Sequence, residues 1–239
     1  MPQLLVSDFG TMPYLEALHL QRAVARARIS GEIDEDVLIL VEHPPVVTLG
    51  RSSKEKHLLA SPALLAQRGV ELHEVERGGD VTFHGPGQIV GYPIVDLKRH
   101  KQDLHWYLRQ VEEALIDALR RVGIEGEQSA GLTGVWTQGG RRKLASIGVH
   151  ARDWVTWHGF ALNVTTDLSY FDLIVPCGIS AVEMTSVSRE LSSASTAHEE
   201  LLATMRDALR SGFAEVFSLE PSTLDPDLLE RVAASTIAK

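Results

Sequence analysis

Cys177 is the residue whose type and setting could do covalent chemistry. It is the only cysteine among 239 residues, and Pro176 and Gly178 bracket it in a predicted turn. A turn can present its side chain to a ligand, and a thiolate is a good nucleophile for acyl transfer. A single cysteine more often serves as a small buried hydrophobe. The residue type alone therefore leaves both interpretations open.

A second candidate for chemistry is the segment 77–88, which reads RGGDVTFHGPGQ between two apolar runs. Glycine has no Cβ to block close contact, and consecutive backbone N–H groups can cradle an anion or a carbonyl oxygen. Tight turns are the simpler interpretation of the same glycines. Neither GxGxxG nor GxxxxGK[ST] is present, so the segment is not a recognisable nucleotide loop.

Three further side chains could support acid–base chemistry, although each has an ordinary alternative. Lys143 opens the predicted strand 143–149, where it could point to either face or simply be solvated. His84 and His158 are each followed by glycine, but a lone histidine on a strand is more often a satisfied hydrogen-bonding residue. The ten histidines form no HxxxH or HExxH pair, so we expect no metal site.

The composition excludes several classes of function. A net charge of −9 argues against nucleic-acid binding, which draws on Lys and Arg. No apolar run is long enough to span a membrane, and the N-terminus lacks the features of a signal peptide. A lone cysteine gains nothing from an oxidising compartment. We therefore expect a cytoplasmic protein without membrane or nucleic-acid partners.

The elements that position these residues follow from apolar periodicity and turn residues. Helices are predicted at Tyr14 to Arg28, after Ser61, between Asp103 and Gly123, after a capping box at Thr196, and after Pro226. The predicted strands are 4–9, 37–41, 46–49, a half-buried 71–76, 134–137, 143–149 and 154–164.

The pattern predicts an α/β protein of the α+β type. Hairpins across 134–164 favour a mixed, largely antiparallel sheet flanked by helices. Helix 103–123 should bury one apolar face that includes Leu104, Tyr107 and Val111. We find no linker or repeat, so residues 1–239 should form one domain, with its motifs in about 35–190 and C-terminal helices in about 196–236.

Three blocks together resemble the octanoyltransferases of lipoate biosynthesis, in the biotin and lipoate protein ligase superfamily. They are 77–88 with its Arg-Gly-Gly and His-Gly-Pro-Gly-Gln, then 143–148 (KLASIG), then 176–179 (PCGI). Supporting segments are 154–164 and 184–187, so the likeness covers about 35–190. The resemblance implies the ligase-like fold and raises Cys177 and Lys143 to strong candidates.

The resemblance also implies a mechanism. An octanoyl or lipoyl group would pass from acyl carrier protein to Cys177 as a thioester, and then to a specific lysine of a lipoyl domain. Lys143 would stabilise the thiolate and move protons as the second member of a Cys-Lys dyad, with His84 or His158 as possible support. The implied acyl site comprises Arg77, Gly78, Gly79, Asp80, Val81, Thr82, Phe83, His84, Ser146, Ile147, Gly148, Gly159, Phe160 and Ala161.

The implied donor is octanoyl-acyl carrier protein. The implied acceptors are the lipoyl domains of 2-oxoacid dehydrogenases and the glycine cleavage H protein. No ATP or other cofactor is expected, because the thioester is already activated. We expect a monomer.

Three alternatives remain open at this point. An ATP-dependent lipoate or biotin ligase of the same fold would not need Cys177. A non-catalytic carrier-binding protein would never acquire an acyl group. A lipoyl-relay amidotransferase or cysteine hydrolase would accept an acylated protein as donor.

Overall fold

The computed structural model describes residues 2–179, 182–191 and 197–224. Its strands are β1 (Gln3–Thr11), β2 (Asp36–Glu42), β3 (Val46–Leu49), β4 (Glu71–Glu74), β5 (Val81–His84), β6 (Gln88–Ile94), β7 (Val135–Thr137), β8 (Arg142–Arg152), β9 (Val155–Asn163), β10 (Glu183–Met184) and β11 (Glu220–Thr223). Its helices are α1 (Tyr14–Ser30), α2 (Pro62–Gln67), α3 (Leu104–Arg121), α4 (Val187–Glu190) and α5 (His198–Phe217).

The main sheet has eight strands in the order β10-β8-β9-β6-β2-β1-β11, with β7 paired to β8. Its centre is antiparallel from β8 through β9 and β6 to β2, whereas β1 is parallel to both β2 and β11. The predicted hairpins of 134–164 are therefore confirmed, and so is a mixed α/β fold. A second sheet, β4-β3-β5, was not predicted.

Helices cover both faces of the main sheet. On one face α3 and α5 pack against it, where the backbone of Gly212 comes so close to α3 that an added Cβ would lie 2.5 Å from the Ala114 carbonyl oxygen. On the other face α1 packs through its predicted stripe of Leu18 and Ala25. The small sheet lies beside α1 and leaves a cavity between the two sheets.

Local signals placed several helix ends correctly. The Asp103 side chain accepts hydrogen bonds from the N–H groups of His105 and Trp106 at the start of α3. The Ser61 side chain caps α2 in the same way. No helix in the described parts of the chain is long and apolar enough to cross a bilayer.

Four expectations about the elements need correction. Leu104 is 40% exposed, because it lies in the first turn of α3, before the helix meets the core. Strand β4 is mostly exposed, since it is an edge strand of the small sheet. Helix α5 begins at His198, and its cap residue Ala197 offers no side-chain hydrogen bond; Thr196 lies outside the described residues.

The C-terminal prediction of helices over 196–236 is correct only for α5. Residues 220–223 instead form β11, which pairs with β1 at the edge of the main sheet. An edge position suits Pro221, because proline lacks the N–H that an inner strand must donate on both sides. The helix predicted after Pro226 falls outside the described residues.

Candidate active site

A cavity of about 250 Å³ lies between the main sheet and the 77–84 segment. Strands β6, β8 and β9 form its floor, and α1, β5 and the Cys177 turn close its sides. The residues that line it are Tyr14, Arg77, Gly79, Asp80, Thr82, His84, Val90, Tyr92, Gly131, Leu132, Thr133, Lys143, Ser146, Ile147, Gly148, His158, Gly159, Phe160, Ala161, Cys177 and Ile179.

Cys177 occupies the tight turn that the flanking residues predict. The turn Pro176–Gly178 has a single 3₁₀ geometry, with Cys177 itself in the left-handed region at a φ of 56°. A non-glycine residue with this φ is uncommon and requires support from its surroundings. Here the N–H of Val175 donates to the His57 carbonyl at 2.7 Å, which ties the turn to the preceding loop. The turn places a half-buried thiol at the cavity edge.

Lys143 reaches the thiol from the start of β8. Its Nζ donates to Cys177 Sγ at 3.2 Å and to the Thr133 carbonyl at 3.0 Å, and it lies 4.9 Å from the centre of the Trp136 ring. The side chain is 1% exposed, and no carboxylate pairs with it among the described residues. The ammonium is therefore directed at the sulfur and favours its thiolate form.

Glycines let backbone segments meet around this pair. An added Cβ on Gly134 would lie 2.7 Å from Lys143 Cε, so glycine leaves the lysine its path to the thiol. An added Cβ on Gly148 would lie 2.7 Å from the Gly78 carbonyl oxygen. The Gly78 N–H donates to the Val149 carbonyl at 2.8 Å, which fixes the 77–80 loop onto β8.

Arg77 supports that loop from below. Its Nη1 donates to the Asp80 carbonyl at 2.8 Å, and its Nη2 donates to the carbonyl and hydroxyl oxygens of Thr48, each at 2.8 Å. Burial lowers the pKa of Arg77 from its ordinary value. The guanidinium holds the loop's shape through neutral acceptors, and its positive charge favours an anion in the cavity.

His84 and His158 lie along the same cavity but have other partners. Nδ1 of His84 contacts Gln88 Oε1 at 2.9 Å, and Nε2 of His158 lies 3.6 Å from Glu76 Oε1. Burial lowers the pKa of each imidazole. Within the described residues neither ring has a hydrogen bond to Cys177 or Lys143. They line the cavity as neutral groups.

Most of the predicted acyl-site residues line the cavity, but three do not. Val81 and Phe83 point to the opposite side of β5, into a core cluster with Val47. Alternation along a strand dictates this outcome, because Thr82 and His84 already face the cavity. Gly78 lies beneath Gly79, where its backbone is bonded to β8.

Several lining residues were not anticipated from the sequence. Tyr14 enters from the first turn of α1, and Val90 and Tyr92 enter from β6. No local motif marks them, because the pairing of β6 with β9 brings them to the site. His57 was also missed; its Nδ1 lies 2.6 Å from Asp80 Oδ2, beside the Cys177 turn.

The described residues contain no group of three or more His, Cys, Asp or Glu side chains that could hold a metal ion. Ser146 is the remaining polar neighbour of the thiol, with its Oγ 3.7 Å from Cys177 Sγ. The arrangement therefore offers a nucleophile, a cation bonded to it and an adjoining cavity. Such a set is suited to covalent acyl transfer.

Solved structures of lipoate-protein ligases share this fold. The bi-partite lipoate protein ligase of Thermoplasma acidophilum is similar with a TM-score of 0.73 at 18% identity, over 100% of this chain and 92% of that one. A lipoate-protein ligase A bound with ATP is similar with a TM-score of 0.72 at 17% identity, over 100% and 94%. The fold is thus that of the lipoate-protein ligases.

The family follows from sequence. The model of the lipoyl protein ligase A/B catalytic domain matches residues 13–210. The octanoyltransferase of Acidobacterium capsulatum is 48% identical over 95% of this chain and 96% of its own length. That of Chloroflexus aurantiacus is 47% identical over 92% and 97%. The chain belongs to the lipoyl protein ligase A/B catalytic family and, within it, to the octanoyltransferases. The predicted acyltransferase class is confirmed.

Proposed function

We propose that this protein transfers an octanoyl group from acyl carrier protein to Cys177, and from there to a lysine of a lipoyl domain. The observation that carries the proposal is the 3.2 Å contact between Lys143 Nζ and Cys177 Sγ at the edge of the cavity. An ATP-dependent ligase of the same fold has no need of this pair. Family membership supports octanoyl as the group transferred.

In the first half-reaction, the Cys177 thiolate attacks the carbonyl carbon of the donor thioester. A C–S bond forms to Cys177 as the bond to the carrier sulfur breaks, and the Lys143 ammonium gives its proton to the departing carrier thiolate. We assign this proton to Lys143 rather than to His84 or His158, because only Lys143 is bonded to the sulfur within the described residues.

In the second half-reaction, the acceptor amine attacks the thioester on Cys177. Neutral Lys143 takes the proton that the amine loses, and the Cys177 thiolate departs beside the ammonium that results. An amide replaces a thioester, which makes this half-reaction downhill. The enzyme returns to its starting protonation state, so neither ATP nor a cofactor is consumed.

The tetrahedral intermediate of each half-reaction needs a donor for its oxyanion. Two of the predicted donors are already used: the Gly78 N–H binds Val149 and the Gly178 N–H binds the Val175 carbonyl at 3.0 Å. Gly79 lines the cavity between Arg77 and Asp80, in the left-handed region at a φ of 85°. We assign the oxyanion contact to its N–H.

The partners follow from the same proposal. The donor is octanoyl-acyl carrier protein, and the acceptors are the lipoyl domains of 2-oxoacid dehydrogenases and the glycine cleavage H protein. The free thiol at Cys177 suits a reducing compartment, so we assign the reaction to the cytoplasm. The titration of lipoyl-domain modification with each purified acceptor tests this set.

The decisive experiment mixes the protein with octanoyl-acyl carrier protein, without ATP or acceptor, and measures its intact mass. We expect one octanoyl group to be added, to be released by hydroxylamine, and to be absent from Cys177→Ser. Adding a lipoyl domain should then transfer the group. Modification of the lipoyl domain by Cys177→Ser would contradict the covalent route. A requirement for free octanoate and ATP would instead favour the ligase.

A further inference from the structure

The cavity crosses the main sheet from one strand to the next. Ser146 of β8 is paired with Ala161 of β9, and Ala161 is paired with Val90 of β6. All three line the cavity, and the Ser146 hydroxyl lies 3.7 Å from Cys177 Sγ. A path therefore leads from the thiol over Ser146 and Ala161 to Val90.

The length of this path matches a medium acyl chain. Neighbouring strands are about 4.8 Å apart, so two steps across the sheet cover about 10 Å. An extended octanoyl chain has seven C–C bonds of about 1.5 Å in staggered geometry and spans about 9 Å. Its last carbons would then lie over β6, at Val90 and Tyr92.

Three rings close the path at that end, and we call Tyr14, Tyr92 and His84 the aromatic wall. The Tyr14 and His84 rings are stacked with their centres 5.9 Å apart. The Tyr92 hydroxyl is 2.7 Å from Nε2 of His43, whose Nδ1 is 2.7 Å from the Met12 carbonyl oxygen. His84 is held by Gln88. The wall is thus fixed by packing and by hydrogen bonds.

The wall carries no charge at neutral pH, although its residues are polar. Burial raises the pKa of Tyr14 to about 12 and raises that of Tyr92 well above its usual value. Burial also lowers the pKa of His84. The nearby guanidinium of Arg77 donates to backbone carbonyls and to Thr48. An alkyl tail can therefore pack against the rings without desolvating an ion.

We propose that the aromatic wall sets the acyl length, by stopping a chain anchored at Cys177 after about eight carbons. Ala161 keeps the middle of the path open, and Tyr14 blocks its extension. The inference rests on the proposed thioester at Cys177 for its anchor point. It adds the residues that select the chain.

The test is competition among hexanoyl, octanoyl, decanoyl and dodecanoyl carrier proteins for adduct formation, read by intact mass. Tyr14→Leu shortens the wall and should raise the decanoyl-to-octanoyl ratio by about four- to fifteenfold, since each newly buried methylene contributes about fourfold. Ala161→Val narrows the path and should raise the hexanoyl-to-octanoyl ratio. The control is Tyr107→Leu, which removes an equally buried tyrosine from the opposite face of the sheet.

The proposal is overturned if Tyr14→Leu keeps the wild-type ratio, or if Tyr107→Leu shifts it equally. Failure of the anchor is a separate result, in which the wild type accepts no acyl group from any donor. Calorimetry with free fatty acids then decides the wall without any transfer step. In Cys177→Ala, octanoate should bind more tightly than decanoate, and adding Tyr14→Leu should move the preference to decanoate. An unchanged preference would overturn the proposal.

Discussion

Nδ1 of His57 lies 2.6 Å from Oδ2 of Asp80, and the two side chains meet directly against Gly178. The pair is mostly buried, with 12% and 10% of the side chains exposed. The His57 carbonyl also accepts the N–H of Val175. The pair therefore joins the loop before β4, the 77–80 loop and the turn that carries Cys177.

We predict that His57→Ala slows acylation of Cys177 by about tenfold, because the strained turn loses its support and the thiol leaves its position beside Lys143. The KM for the carrier should change little. Single-turnover acylation and urea unfolding, measured together, separate positioning from folding. The matched control is His100→Ala, which breaks a histidine–aspartate contact of 2.7 Å with Asp36 far from the cavity. Equal losses in both variants would contradict the prediction.

Gly178→Ala should abolish most activity. An added Cβ would lie 2.5 Å from Asp80 Oδ2, and the residue has a φ of 67°, which disfavours any side chain. The comparison is Gly31→Ala, whose φ of 77° carries the same backbone cost of about 1–2 kcal/mol but whose Cβ meets nothing within 4 Å. Adduct formation should be lost only in Gly178→Ala, while both variants lose stability. Activity retained in Gly178→Ala would refute the clamp.

Lys143→Met should gain stability while it loses acylation activity by at least about a hundredfold. The ammonium is buried without a carboxylate partner among the described residues, and a charge held in this way costs free energy that an apolar side chain of similar length does not. We expect the free energy of unfolding to rise by about 1 kcal/mol. Urea unfolding measures this, and the exposed Lys98→Met serves as control. A clear loss of stability in Lys143→Met would argue that the lysine is structural.

The sequence predicted the elements better than their arrangement. Local signals such as the Asp103 cap and the hairpin residues of 134–164 act within a few positions, and the structure confirms them. Pairing between distant strands has no such local signal. The small sheet was missed for this reason, since β3 pairs with β4 in parallel and with β5 in antiparallel fashion.

The site divides in the same way. Cys177 and Lys143 could be named together only through the resemblance, because 34 positions separate residues that the fold brings to 3.2 Å. Tyr14 and Tyr92 belong to no motif and reach the cavity through the packing of α1 and the register of β6. Val81 and Phe83 are the avoidable error, because alternation along β5 already assigned them to the core.

Acid should destabilise this protein through its buried histidines. Burial lowers the pKa of His43 from 6.5 to about 4, and the rings that face it, Tyr14, Tyr92 and His84, supply no negative charge at that pH. In the unfolded chain His43 binds a proton as the pH falls below about 6.5, whereas the folded protein resists protonation until about 4. The free energy of unfolding is therefore constant above this window and falls as the pH drops through it.

Replacing His43 by Asn should flatten that dependence. One fewer proton is then taken up on unfolding, so the slope between pH 6 and 5 should decrease by about 1.4 kcal/mol per pH unit. Urea unfolding at a series of pH values gives the slope, which is independent of any loss of stability at pH 7 from the broken bond to Tyr92. His105→Asn, at an exposed position of α3, should leave the slope unchanged. If His43→Asn and the wild type show the same slope, the imidazole at position 43 is already charged in the folded protein, and the aromatic wall beside it cannot be the neutral surface that an alkyl chain requires.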